Sequence, residues 1–168
     1  MSLSIRSPST DEAALALGFV KEAADYAKLL HEVDATEAMI AQALFGPWPQ
    51  LYCDIAEWEG TPAGISTWFP NFSSFRGRKG VYLEDLFVRP AFRGRGIGKA
   101  LLVNLARRCA DNGWTRFEWA VLDWNAPSIA FYKSLGATLM DNWTTCRLTD
   151  EALHSLASRD TLSWRASP

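Results

Sequence analysis

Three glycines and three basic residues lie close together in the middle of the chain, in the segment RGRGIGK at residues 93–99. Glycines leave room for backbone N–H groups to approach a ligand, because they carry no side chain. An apolar strand is predicted before this segment and an amphipathic helix after it. The segment would then form the first turn of a helix, where unpaired donors and the helix dipole favour an anion. A phosphate or pyrophosphate site is therefore predicted here.

The spacing of these glycines excludes two familiar nucleotide loops. No Lys-Ser or Lys-Thr pair closes a longer loop, as a triphosphate-binding loop requires. Gly94, Gly96 and Gly98 each lie two residues apart, which differs from the dinucleotide pattern Gly-x-Gly-x-x-Gly. The purely structural alternative is a tight strand-to-helix turn with solvated arginines.

The elements that must position this segment are predicted from hydrophobic periodicity and from turn residues. Around it lie a buried strand at 81–88, a helix from Ile97 to about residue 112, a strand at 114–121 and a helix from Asn125 to Gly136. Earlier elements are a strand at 5–6, a helix from about Thr10 to Leu30 after a Ser9–Glu12 capping box, a helix from about 34–37 to Gly46, and hairpin strands at 51–58 and 63–69. Later elements are strand pieces at Leu139 and 144–148, a short helix opening at 149–151 and a tail after about residue 158. This order predicts one α/β (α+β) domain over residues 1–168, with helices on both faces of a mixed, mostly antiparallel sheet.

Composition limits the classes of partner. The chain has 168 residues and a net charge of -2, which argues against nucleic acid as the main partner. Its three cysteines form no disulfide framework and indicate a reducing, cytoplasmic setting. No apolar run approaches the ~20 residues of a spanning helix, so no membrane partner is expected. Neither the cysteines nor His31 and His154 show metal-ligand spacing, so no metal is expected.

Two segments resemble one enzyme superfamily. VRPAFRGRGIGKALL at residues 88–102 resembles the acetyl-CoA-binding motif of the GNAT superfamily of N-acetyltransferases. Its pattern, Arg/Gln-x-x-Gly-x-Gly/Ala, is met by Arg93, Gly96 and Gly98. NAPSIAFYKSLGA at 125–137 resembles the second motif of the superfamily. The runs YLEDLFV at 82–88 and WNAPS at 124–128 are similar to the diamine subgroup, which contains spermidine/spermine and thialysine acetyltransferases.

The resemblance implies acetyl-CoA as the co-substrate and a homodimer. The backbone of residues 86–88 would pair with the pantetheine arm like an added strand, and residues 94–99 would hold the pyrophosphate. The implied cofactor-binding residues are Leu86, Phe87, Val88, Arg93, Gly94, Arg95, Gly96, Ile97, Gly98, Lys99, Asn125 and Ser128.

The resemblance also implies the catalytic residues. Tyr132 would be the general acid and Glu84 the general base or amine-positioning carboxylate, with Tyr26, Glu84 and Asp85 on the acceptor side. An alkylammonium has a pKa of about 10.4, so a carboxylate must help to remove a proton before the amine attacks a thioester. Burial in the apolar strand is expected to raise the pKa of Glu84, and strand alternation predicts that Asp85 points to the opposite face. The N–H of Phe87 or Val88 is the candidate donor to the oxyanion.

The acceptor is less closely defined than the donor. Two acids of the polyamine enzymes are replaced here by Ala27 and Thr144. Their loss favours a smaller amine, such as a diamine or a lysine analogue, over spermidine or spermine. Two alternatives are an acetyltransferase for proteins or peptides and a non-catalytic acyl-CoA-binding module. The presence of both Glu84 and Tyr132 argues against the second.

Overall fold

A computed structural model describes residues 2–159 of the chain. It divides into two compact units, Met1–Asn125 and Ala126–Pro168. The single domain over residues 1–168 stays a prediction. The predicted tail after about residue 158 lies, except for Arg159, outside the described residues.

The first unit is built on a five-stranded sheet. Its elements are β1 (Leu3–Arg6), α1 (Ala13–Tyr26), a 3₁₀ turn (Leu30–Glu32), α2 (Glu37–Phe45), β2 (Tyr52–Trp58), β3 (Thr61–Ser73), β4 (Arg78–Val88), a second 3₁₀ turn (Pro90–Phe92), α3 (Ile97–Asp111) and β5 (Phe117–Trp119). The strand order is β1-β2-β3-β4-β5, and the first three pairs are antiparallel. β5 runs parallel to β4, because α3 carries the chain back across the sheet. The predicted mixed, mostly antiparallel sheet is confirmed.

Helices cover both faces of this sheet, as predicted. On one face, Phe19 of α1 and Leu44 of α2 pack with Ile55, Ile65 and Phe87. On the other face, the α3 residues Ile97 and Leu101 pack with Ala56 and Ala63, beside Leu86 and Val88. Neighbours in sequence such as Ile55 and Ala56 therefore face opposite cores, which follows from the two-residue period of a strand.

α1 is shorter than predicted, since it begins at Ala13 and ends at Tyr26. Only half of the capping box forms. The carboxylate of Glu12 accepts the N–H of Ser9 at 2.8 Å, whereas the hydroxyl of Ser9 donates to Asp11. Two further bonds from the guanidinium of Arg6 hold Glu12 and lower its pKa to about 2. This ion pair connects β1 to the start of α1.

β5 is also shorter than the strand predicted at residues 114–121. The N–H of Trp114 donates to the carbonyl of Cys109 and closes the end of α3, whereas the N–H of Thr115 donates to the carbonyl of Lys79 in β4. At its other end, β5 pairs with β4 only as far as Leu83. A bulge in the pairing of β4 with β3 begins at the next residue, Glu84.

The second unit contains α4 (Ala126–Ser134) and α5 (Asp150–Ala157). Pro127 lies in the first turn of α4, and both helices were predicted. The late strands predicted at Leu139 and at 144–148 are wrong, because the described residues of this unit contain no strand. Isolated extended segments are unstable without a pairing partner, and hydrophobic pattern alone does not supply one.

A buried carboxylate ties the sheet to α3. Asp54 of β2 is 3% exposed. One of its oxygens accepts the Nε1–H of Trp68 at 2.9 Å, and the other accepts Nη2 of Arg108 at 3.4 Å. Burial raises the pKa of Asp54 above its ordinary 3.8, while Arg108 and Trp68 act in the opposite direction.

We expect Asp54→Ala to lower the free energy of unfolding by about 2–4 kcal/mol, because both donors lose their acceptor. Asp54→Asn keeps an acceptor and should cost less than half as much.

The raised pKa of Asp54 means that its carboxyl group keeps its proton to a higher pH in the folded state than in the unfolded chain. The stability that it contributes is therefore present below pH 3.8 and is lost as the pH rises through the folded pKa. The cost of Asp54→Asn should then be smaller at about pH 7 than at about pH 4. Urea unfolding at both pH values checks this, and equal losses for Ala and Asn would contradict it.

Candidate functional site

The glycine turn has the backbone conformation that an anion cradle requires. Gly94 and Gly96 have positive φ values of 75° and 78°, a region in which residues with a Cβ are strained. A Cβ placed on either glycine would meet no atom within 4 Å, so space is free beside both. Gly96 is the N-cap of α3, and the N–H groups of the first helical turn follow it. The turn can therefore hold a phosphate against the positive end of the helix dipole.

The two arginines of the turn are held by aromatic rings. The guanidinium carbon of Arg93 lies 4.9 Å from the centroid of the Tyr26 ring, and its Nε donates to the carbonyl of Val88 at 2.9 Å. The guanidinium carbon of Arg95 lies 5.2 Å from the ring centroid of Trp58. Arg93 thus connects the end of β4 with the end of α1. The predicted phosphate contacts of both arginines and of Lys99 stay predictions.

Ile97 plays a different part in the same turn. Its side chain is 1% exposed in the core beneath α3, so it anchors the helix while its backbone remains part of the first turn. Gly98 follows it inside α3.

Beside this turn, the last residues of β4 have no described strand next to them on one side. Thr67 of β3 is opposite Asp85, whereas Trp68 is opposite Leu83, so Glu84 is the extra residue of a bulge. Beyond Leu83, no described strand pairs with β4 on the side of β5. The backbone at 86–88 is therefore available on that side for an extended ligand. The side chain of Phe87 packs into one core, while Leu86 and Val88 pack against the other.

The two neighbouring carboxylates of β4 lie in different environments. Glu84 is exposed, so the burial expected for it is wrong. Asp85 is partly buried, and burial raises its pKa, although the hydroxyl of Thr67 opposes this by donating to Oδ2 at 2.5 Å. The bulge explains the difference, because an extra residue shifts the alternation of the strand by one position. Burial therefore acts on the carboxyl group of Asp85.

An aromatic pair lies at the end of α1. The ring centroids of Tyr26 and Trp124 are 6.3 Å apart. Lys28 places its ammonium 5.6 Å from the Trp124 ring, and Arg93 covers Tyr26. The structure thus brings the predicted acceptor residue Tyr26 next to the predicted cofactor residue Arg93. It also adds Trp124, to which sequence reasoning assigned no contact.

The remaining predicted residues lie around the boundary in sequence between the two units. Asn125 ends the first unit, is 8% exposed, and donates its N–H to the carbonyl of Leu122. Ser128 and Tyr132 lie on α4 in the second unit. They are four residues apart and share one face of that helix. Their roles toward a cofactor and a substrate stay predictions.

Within residues 2–159, no cluster of three or more His, Cys, Asp or Glu side chains is arranged to hold a metal ion. None of the helices in this part of the chain has the length and apolar character needed to cross a membrane.

Gly96→Ala tests the cradle. The added methyl would enter the space that the phosphate needs and strain the left-handed backbone, so we expect the Kd for acetyl-CoA to rise at least about tenfold. Calorimetric titration with acetyl-CoA measures it. Gly60→Ala is the matched control, since Gly60 has the same φ of 78° with free space around it, in the turn between β2 and β3. If both variants bind acetyl-CoA as the unmodified chain does, the cradle is elsewhere.

Comparisons with known proteins agree on one family. The sequence profile described as the acetyltransferase (GNAT) family matches residues 20–137, which is more than half of the chain. The thialysine N-epsilon-acetyltransferase of Sus scrofa is 32% identical over 169 residues, which cover 94% of this chain and 99% of that protein. The L-ornithine N5-acetyltransferase of Arabidopsis thaliana is 43% identical over 94 residues, or 56% of this chain, and the match spans 41% of that protein.

Solved structures share the fold. An integron cassette protein from the mobile metagenome of V. cholerae superposes with a TM-score of 0.77 at 26% identity, covering 94% of this chain and 99% of the other. An aminoglycoside acetyltransferase from an uncultured soil metagenomic sample superposes with a TM-score of 0.74, covering 89% of this chain and 97% of the other. The second is 15% identical, so it bears on the fold alone.

Proposed function

The chain belongs to the acetyltransferase (GNAT) family, and we propose that it moves the acetyl group of acetyl-CoA onto a primary amine of a small amino compound. One observation carries this proposal. The glycine turn at the start of α3 follows β4 through one short 3₁₀ turn, and no described strand pairs with residues 86–88 of β4 on the side of β5. A pyrophosphate on the turn and a pantetheine arm along residues 86–88 would direct the thioester toward Glu84 and Asp85.

The donor side uses mostly backbone groups. The N–H groups from Gly94 to Gly98 would bind the pyrophosphate, and the strand edge would hydrogen-bond the amides of pantetheine. The N–H of Phe87 or Val88 would stabilise the oxyanion of the tetrahedral intermediate. Asn125 and Ser128 would contact the remaining parts of the cofactor.

The chemical step would be direct attack in a ternary complex. Glu84, directly or through water, accepts a proton from the ammonium group of the acceptor. The neutral nitrogen attacks the thioester carbon, forming the C–N bond, and the carbonyl oxygen takes the negative charge. The C–S bond then breaks, and Tyr132 donates a proton to the departing thiolate. The acetylated nitrogen gives its surplus proton to the resulting tyrosinate or to water, and Glu84 releases its proton to solvent. The products are the N-acetylated amine and coenzyme A. No step passes through a cysteine: of the described cysteines, Cys53 and Cys109 are buried and Cys146 is exposed on the second unit.

The charges near Tyr26 favour an acceptor that resembles an amino acid. Relatives named for thialysine and for ornithine suggest a primary amine at the end of such a molecule. The ammonium group of Lys28 lies 5.6 Å from the centroid of the Trp124 ring, which itself contacts Tyr26. It would repel a long polycation and attract a carboxylate. The positive charge near Tyr26 and the replacement of two acids by Ala27 and Thr144 both favour lysine-like amines over spermine.

A panel of amines with acetyl-CoA tests the proposal by the release of free thiol. We expect thialysine and ornithine to give the highest kcat/KM, putrescine less, and spermine at least about tenfold less than thialysine. Faster acetylation of peptides would favour a protein acetyltransferase. Tight binding of acetyl-CoA with no transfer to any amine or peptide would make the chain a non-catalytic acyl-CoA-binding module.

We also propose a homodimer and a cytoplasmic location, which follow from the family resemblance and from the three cysteines. Light scattering of the purified chain measures its mass in solution and so tests the homodimer.

A further inference from the structure

A threonine and an aspartate form a reciprocal pair across the bulge of β4. Thr67 of β3 lies directly opposite Asp85. Its hydroxyl donates to Oδ2 of Asp85 at 2.5 Å and accepts the backbone N–H of the same residue at 3.1 Å. One hydroxyl group therefore holds both the main chain and the carboxylate of Asp85.

The environment of Thr67 makes this contact hard to replace. Thr67 is 1% exposed, so no bulk water competes for its hydroxyl. Among the residues that the structure describes, no other side chain hydrogen-bonds to Asp85. The contact uses Oδ2, which leaves Oδ1 of the same carboxylate for another donor. A buried polar pair of this kind persists because either group left alone would lose its partner without regaining water.

We propose that Thr67 is a positioning residue, which holds the carboxylate of Asp85 at the bulge so that Oδ1 receives the ammonium group of the acceptor. Asp85 directly precedes the strand edge at 86–88 that the thioester arm would use. Asp85 is therefore adjacent in the chain both to the proposed donor site and to Glu84. The inference rests on the proposed function and adds to it a residue that contacts neither substrate.

Thr67→Val and Thr67→Ser separate the hydroxyl from the shape of the side chain. Valine keeps the β-branched shape and removes the hydroxyl, whereas serine keeps the hydroxyl. With thialysine as the acceptor, we expect Thr67→Val to lower kcat/KM for the amine about tenfold, mostly through KM, while the KM for acetyl-CoA changes less than about twofold. Thr67→Ser should stay within about threefold of the unmodified chain. Thermal unfolding verifies folding, and Thr67→Ala replaces the valine variant if that variant does not fold.

The same substitution in an Asp85→Asn background shows whether Thr67 acts through Asp85. There, Thr67→Val should change kcat/KM less than about twofold, because the carboxylate that it positions is gone. A full tenfold loss in that background, or equal losses for the amine and for acetyl-CoA, overturns the inference.

A binding experiment keeps the inference separate from the proposed function. Thialysine added to the 13C-labelled chain with coenzyme A should shift the carboxyl carbon signal of Asp85, assigned with Asp85→Asn. The shift should persist in Thr67→Ser and largely vanish in Thr67→Val. No shift in the unmodified chain, or equal shifts in all three proteins, overturns the positioning role. Absence of acetyl transfer to every amine, with this pattern of shifts intact, overturns only the proposed function.

Discussion

Tyr132→Phe should lower kcat at least about 100-fold, while the Kd for acetyl-CoA stays within about twofold. A tyrosine with a pKa of about 10 keeps its proton at neutral pH and can give it up as charge develops on the departing sulfur. Phenylalanine retains the ring, which lies 5.4 Å from that of Phe131, and loses only the hydroxyl. Stopped-flow release of thiol at saturating amine measures the step directly.

Tyr52→Phe is the matched control for this experiment. Tyr52 stacks on Trp68 with ring centroids 4.6 Å apart and lies 39% exposed on β2. Loss of its hydroxyl should change kcat less than about twofold. If Tyr132→Phe also behaves in this way, another group or water protonates the thiolate, and Tyr132 has a packing role in α4.

Glu84→Gln should lower kcat/KM for the amine about 100-fold near neutral pH. The deficit should shrink as the pH approaches about 10, where the acceptor loses its proton without a base. Binding of acetyl-CoA should be unchanged, because Glu84 is not among the groups proposed to hold it. The pH profiles of kcat/KM for the variant and for the unmodified chain measure this. Glu37→Gln, an exposed carboxylate in the first turn of α2, is the control.

Asp85→Asn decides between the two carboxylates. Burial raises the pKa of Asp85, and Glu84 is exposed, so a base of raised pKa is found at Asp85. In the proposed division of roles, Asp85→Asn raises the KM for the amine and leaves kcat within about fivefold, since it binds the ammonium group. If Asp85→Asn removes kcat and Glu84→Gln only raises KM, the two roles are exchanged.

The glycine turn was predictable because its determinants are local. Positive φ at Gly94 and Gly96, and a helix that begins at Ile97, depend on a few consecutive residues. The start of α4 was predictable for the same reason, because Pro127 lies in its first turn and acts locally. Element ends were harder to predict. α1 begins at Ala13, and Glu12 before it binds both Ser9 and Arg6. Arg6 belongs to another element, so no capping pattern reveals that second contact.

The environment of the carboxylates was not predictable from local pattern. Regular alternation places Glu84 and Asp85 on opposite faces, but the bulge between β3 and β4 changes that phase. A bulge depends on how two strands are paired, and Thr67 lies 18 residues from Asp85 in the chain. The strands predicted at Leu139 and at 144–148 fail for a related reason, since a strand exists only with a neighbour.

The sequence by itself determined the family of this protein, the glycine turn at the start of α3 and the strand that leads into it. These features follow from residue types at short spacing, where conformation and charge are set by near neighbours. Only the tertiary structure decided which carboxylate is partly buried, where the pairing of β4 with the described strand β5 ends, and that Thr67 holds Asp85. Those features depend on strand register and on desolvation, and both arise only when distant segments pack together.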